Sequence, residues 1–284
     1  MDPAAIVKLM LIGGIVLNVV SIGMRARPQD ALHLIRNPAL GARAMLAMFV
    51  VVPAFVLLLT TLLDLPRPVA AVLLVLSVAP MPPLISNKEM KAGGEASYAI
   101  GLQVLATAFS LLAVPVMLTV AGLVFGRQFP FESTAMISVL AMTVAIPMAL
   151  GMALGTMLPK LLPTIATWAS RIGWISLGIA AIVLLAVRWG DIAGHIGGGT
   201  VLVTVVIIAF ALLVGQFLGG PDEGNRSALA ITCAARHPGV AISVATGLFP
   251  SDSAEIFGMA GLFVLTSALM AIPYLKWRKT AIEG

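Results

Sequence analysis

Apolar residues in this chain gather into runs of about 20, each long enough to cross roughly 30 Å of hydrocarbon. Short clusters of proline, glycine and charge separate the runs. This punctuation predicts nine crossings, at approximately 5–24, 40–63, 69–93, 97–125, 134–158, 165–188, 199–219, 225–249 and 255–275. No stretch longer than a loop interrupts them, so the predicted fold is an all-α membrane protein with a single domain over residues 1–284. The first run, Ile6 to Met24, is N-terminal and carries Lys8 near its start, as a secretory signal would. It lacks a small-residue cleavage site and leads straight into further spans, so it is expected to remain as a helix.

Composition agrees with the pattern: 60% of the residues are hydrophobic and 10% charged, where a soluble domain has roughly 25% charged. A net charge of +5 raises the question of a nucleic-acid partner. The basic residues lie in short loops between spans, however, where they act as topology signals, and no nucleic-acid partner is expected. With the N-terminus outside, the inner face carries twelve of them: Arg25, Arg27, Arg36, Arg43, Lys88, Lys91, Lys160, Arg171, Arg226, Lys276, Arg278 and Lys279. The outer face carries four, Lys8, Arg67, Arg127 and Arg188, and Arg236 completes the 17. This bias sets the C-terminus in the cytoplasm, and the expected location is a bacterial inner membrane. The four tryptophans fall near predicted span ends, where amphipathic rings favour the headgroups. Cys233 is the single cysteine, which excludes a disulfide framework and a multi-cysteine metal site.

Two predicted spans are interrupted near their middles, the third by "APMPPLIS" (Ala79 to Ser86) and the eighth by "ARHPGVAI" (Ala235 to Ile242). Pro80, Pro82, Pro83 and Pro238 remove backbone donors, and Gly239 frees the chain further. Orphaned backbone groups in hydrocarbon cost several kcal/mol each, so such breaks survive where they line a cavity or are buried in protein. Ala79 and Pro82 stand 156 residues before Ala235 and Pro238, and five crossings separate the two spans, which therefore run in opposite directions. That spacing predicts an inverted repeat, with residues 1–130 holding about four helices and 131–284 five, and a binding site where the interrupted helices cross. The plainer alternative is two ordinary helices kinked by proline.

With these motifs in view, the chain resembles the bile acid:sodium symporter family, within the wider group that includes arsenite permeases and auxin-efflux-like carriers. "GMRARPQDALHLIRNPALGARAML" is similar to the family's second helix and following loop, "APMPPLISNKEM" to its first crossing helix, and "ALAITCAARHPGVAISVATGLF" to its second. Members usually have ten helices, so the first of the ten is missing from the nine here. The resemblance implies a panel of helices packed against a core of two crossed, discontinuous helices, with sodium beside the crossing. It carries the Ser-Asn pair onto Ser86 and Asn87, and the sodium-binding hydroxyls of the next helix onto about Ala99 and Gln103. The family's E-x-x-x-Q-N-S-G motif falls on Thr232, Arg236, His237, Pro238 and Gly239, and only the glycine is kept. A hard cation wants oxygen ligands and a carboxylate to offset its charge. Ser86, Asn87 and Thr232 are weak sodium candidates and Gln103 adds a neutral oxygen, but Arg236 repels the ion, so sodium coupling is in question.

Arg236 at membrane depth needs a partner. Three are open: carbonyls at a half-helix C-terminus, Glu89 (which, with Glu95, lies at the inner end of span three), or an anionic substrate. The functional reading makes Arg236 a fixed cation that, with the half-helix N-termini, attracts a carboxylate. The structural reading makes it a cap of its own half-helix. His237 suits proton coupling, or is a neutral, hydrogen-bonded histidine. Cys233 is expected to be a small buried hydrophobe, and "GMALGTML" a packing stretch with a small-xxx-small pair at Gly151 and Gly155. No nucleophile–base pair, paired carboxylates or metal cluster suggests an enzyme, and no cofactor is implied. The expected function is a secondary active transporter moving a small organic anion by alternating access. The alternatives are a sodium-independent or proton-linked exporter or uniporter of the same fold, or a channel or non-transporting subunit.

Overall fold

The computed structural model describes residues 3–26, 28–81, 96–124, 138, 141–157, 162–194, 196–197 and 199–283. Every regular element among them is helical. In chain order these are α1 (Pro3–Arg25), α2 (Pro28–Ala31), α3 (His33–Arg36), α4 (Pro38–Leu46), α5 (Val52–Leu62), α6 (Arg67–Val78) and α7 (Ala96–Val124). They continue with α8 (Ile146–Met157), α9 (Leu162–Ala193), α10 (Thr200–Leu218), α11 (Glu223–Ala234), α12 (Pro238–Leu248) and α13 (Ser253–Glu283).

Among the described residues, three helical stretches are long and apolar enough to cross a bilayer: Pro38–Leu62, Thr200–Leu218 and Pro250–Arg278. A fourth, Ser97–Ser110 with Leu112–Val120, does so as a pair bent by 48°. Pro115 lies inside this helix and cannot donate to the carbonyl of Leu111, and its ring crowds the same turn, which accounts for the bend. Ile12–Arg25, Arg67–Val78 and Ala141–Met157 are shorter apolar helices.

Proline also shapes two other helices, through one repeated pattern. The segments "AMFVVVP" (Ala47 to Pro53) and "AMTVAIP" (Ala141 to Pro147) each form a π-turn, at Ala47–Val51 and Ala141–Ala145. A proline six residues after the start of the turn supplies no N–H, and the ladder slips from i→i+4 to i→i+5 bonding. At the first turn the Val52 N–H bonds the Ala47 carbonyl, five residues back.

Packing gathers the helices into two groups, joined where α9 meets α13. In one, α1 runs along α8 and α9. A Cβ built on Gly151 would lie 2.3 Å from the Val20 carbonyl oxygen and 2.9 Å from the Gly23 Cα, so only glycine allows this approach. The Oγ of Ser21 donates to the Ala166 carbonyl at 2.8 Å and that of Ser176 to the Met10 carbonyl at 2.9 Å, tying α1 to α9. In the other group α6 packs on α12 and α13, and α11 on α10 and α13. All residues from Val69 to Val78 of α6 and from Ser227 to Ala234 of α11 are buried, so both are enclosed on every side. Leu112, Val116, Leu123 and Phe217 point outward and are largely exposed, as suits faces turned to lipid.

Candidate functional site

At each sequence break a described helix stops. Helix α11 stops at Ala234, Ala235 is extended (φ −114°, ψ 124°), and α12 begins at Pro238 with extended His237 as its N-cap. A residue before proline avoids the helical region, and Pro238 supplies no N–H to the carbonyl of Ala234. The Oγ of Ser267, on α13, donates to that carbonyl at 2.9 Å. At the other break α6 ends at Val78 and Ala79 is extended (ψ 151°). The Leu76 carbonyl, which Pro80 cannot serve, accepts instead from the Ala79 N–H at 3.2 Å. Pro82, Pro83, Ser86, Asn87, Glu89 and Glu95 lie outside the described residues.

The two breaks touch. Three consecutive carbonyls of the first are each met by a donor from elsewhere. Ala79 accepts from Arg236 Nη1 at 3.1 Å, Pro80 from the His237 N–H at 2.9 Å, and Met81 from Gln103 Nε2 of α7 at 3.4 Å.

Arg236 is 2% exposed, and its guanidinium draws three segments together. Besides Ala79, its Nη2 donates to the Met48 carbonyl at 3.0 Å and its Nε to the Cys233 carbonyl at 3.3 Å. Each of these carbonyls has lost its helical donor. For Met48, the Val52 N–H is taken by Ala47 and the next residue is Pro53. Residues 82 and 83, the 3₁₀ and α donors for Ala79, are both proline. The His237 N–H, the helical donor for Cys233, is spent on Pro80. The Phe49 ring lies 6.0 Å from Arg236 Cζ, at the limit of a cation–π contact. Of the partners considered for Arg236, half-helix carbonyls are the ones in contact, and no carboxylate among the described residues touches it.

Among the described residues, two buried polar atoms beside the breaks have no hydrogen-bond partner, His237 Nδ1 and Gln103 Oε1. His237 occupies the N-cap position of α12 yet makes no side-chain capping bond. Its ring lies against the first turn, since a Cβ on Gly239 would be 3.0 Å from its Cε1 and 3.2 Å from its Nδ1. Gly239 itself is exposed. Thr232 is buried and turns its hydroxyl back to the Ala228 carbonyl at 2.9 Å, Ala99 is buried with it, and Cys233 is buried and reduced. Among the described residues no cluster of His, Cys, Asp and Glu could hold a metal ion.

Sequence reasoning did not reach Met48 or Arg278. The signal for Met48 was Pro53, five residues on. Arg278 reads in sequence as one more inner-face charge, but it is 4% exposed. Its Nε donates to Ser227 Oγ at 2.8 Å and its Nη2 to Glu223 Oε2 at 2.9 Å, fastening α13 to the start of α11.

A chain whose described elements are all helical, with lipid-type outer faces and two helix ends that meet in its interior, belongs to the class of integral membrane transporters. More narrowly, the model of the sodium bile acid symporter family matches residues 12–194, well over half the chain, and the protein belongs to that family. The matched stretch contains the first break, and the second, with Arg236 and His237, follows it. No curated protein matches the chain.

Proposed function

We propose that the protein is a secondary active transporter that carries a small organic anion by alternating access, with the anion held where the two breaks meet. The observation that carries the reading is the bond from the His237 N–H to the Pro80 carbonyl, flanked by two buried, unpartnered polar atoms, His237 Nδ1 and Gln103 Oε1. Polar groups left unmatched at this depth are costly unless a ligand or water meets them. The first turn of α12 has no side-chain cap and opens at exposed Gly239, so its N–H groups and positive dipole end favour an anion. In its Nδ1–H form the His237 ring adds a donor to them. Arg236 supplies a fixed positive charge behind this point through its carbonyl partners. The full frame is nine crossings with the C-terminus inside, arranged as inverted halves at 1–130 and 131–284. It is supported by family membership, by the placement of the breaks and by the charge bias of the loops.

Counterflow in proteoliposomes tests the reading. Vesicles loaded with an unlabelled carboxylate from a panel of small organic acids should take up the labelled acid transiently above equilibrium, as a carrier does and a channel does not. His237→Ala should weaken apparent affinity about tenfold or more, because one charge-assisted bond is worth roughly 1.5–3 kcal/mol and 1.4 kcal/mol is a decade. Its melting temperature should stay near the wild-type value. Normal affinity in His237→Ala would remove His237 from the anion site.

A further inference from the structure

Membership in a family named for sodium symport implies sodium as a co-transported ion. The described oxygens at the meeting of the breaks do not fit that ion. A hard cation needs several converging oxygens and, as a rule, a carboxylate to offset its charge. Here Met48, Ala79 and Cys233 do present converging carbonyl oxygens, drawn from α4–α5, α6 and α11, but all three already accept from one guanidinium. That side chain fills the space between them at 2% exposure, and no described carboxylate adjoins it.

We infer that Arg236 is a tethered cation: its guanidinium permanently occupies a carbonyl cage that proline placement creates, and transport by this chain therefore runs without sodium. Three features of the geometry carry this. The cage carbonyls come from separate segments, so the charge on Arg236 holds the crossing together as a bound ion would. Each is orphaned by Pro53, by Pro82 and Pro83, or by the crossing bond to Pro80, so each needs a donor or a cation whatever else happens. Arginine stays charged under all working conditions and donates in a fixed planar fork, which serves three acceptors in different directions. The inference rests on the proposed transport reading only for its consequence on coupling. The cage itself is tested without any substrate.

Thermal unfolding of the purified protein in detergent is the test, in chloride salts of sodium, choline or dilute guanidinium at one ionic strength. Wild type should melt at the same temperature in sodium and choline. Arg236→Ala should melt on the order of 10 °C lower in choline and regain at least half of that loss in dilute guanidinium, which should lower or leave unchanged the wild-type value. Arg236→Lys, which keeps a charge but not the fork, should fall between the two and remain indifferent to sodium. A saturable stabilisation of wild type by sodium would overturn the inference. So would a folded Arg236→Ala that melts like wild type, or one that guanidinium does not restore. Should Arg236→Ala yield no folded protein, the sodium response of wild type and of Arg236→Lys decides alone. Failure to find a transported anion would sink the transport reading and leave these melting curves unaffected.

Discussion

Arg236→Leu is expected to lower the melting temperature on the order of 10 °C, and adding Pro53→Ala is expected to restore part of the loss. Two effects oppose each other in the single variant. Leucine removes the cost of keeping a guanidinium at membrane depth, set between about 2.5 and more than 10 kcal/mol by different measures. It also leaves the carbonyls of Met48, Ala79 and Cys233 without donors, at about 1–3 kcal/mol each. The second effect wins because that range describes an unpaired guanidinium, whereas this one is met by three carbonyls, so leucine recovers little of it, and each kcal/mol moves the melting point of a chain this large by about 2–4 °C. Pro53→Ala supplies the N–H whose absence produces the π-turn. Val52 can then bond Met48 in the ordinary i→i+4 manner, so one of the three orphans disappears. The two substitutions should therefore be non-additive by about 1 kcal/mol, a few degrees, in a double-mutant cycle read by thermal unfolding. Strict additivity would mean that Met48 does not depend on Arg236 for its donor.

Gly215→Leu should be at least as damaging, and should reach the site from a distance. A Cβ at Gly215 would lie 2.3 Å from the Cα and 2.5 Å from the nitrogen of Ala230, both backbone atoms that no rotamer change can move. Gly219 stands in the same relation to Arg226, with 2.3 Å to its Cα. Separating α10 from α11 costs more than the roughly 1–3 kcal/mol of ordinary overpacking, because a whole helix must shift. Helix α11 carries Arg236 and His237 just beyond its end, so uptake should fall together with the melting temperature. Gly178→Leu is the control, since nothing lies within 4 Å of a Cβ there and both readouts should stay near wild type.

Much of this architecture could be read from residue order, and the reason is physical. Lipid leaves few solutions for backbone polarity, so apolar runs become helices, and proline beside glycine or charge marks where a helix must stop. Hence "ARHPGVAI" locates the end of α11 at Ala234 and the start of α12 at Pro238. The small-xxx-small pair in "GMALGTML" likewise marks the close approach of α8 to α1, made by Gly151. The partners of Arg236 were not readable in the same way. Its three carbonyls come from positions 48, 79 and 233, and backbone acceptors carry no residue signature. What can be read is which carbonyls proline deprives of a donor, and counting four and five residues back from Pro53, Pro82 and Pro83 shortens the list of acceptors. Arg278 escaped for a different reason. A basic residue near a span end is normally a topology signal, and only the fold shows that Ser227 and Glu223 lie within its reach.

Under the proposed transport cycle, the meeting point of the breaks opens to each side of the membrane in turn. A single thiol at Gly239, the exposed first-turn position of α12, reports on this directly. The only native cysteine, Cys233, is buried and can be replaced by alanine to clear the background. Gly239→Cys in that Cys233→Ala protein should react with a membrane-impermeant maleimide applied to right-side-out vesicles and also to inverted ones. A transported anion should slow both reactions. Labelling confined to one face in every condition, with or without anion, would contradict alternating access at this site.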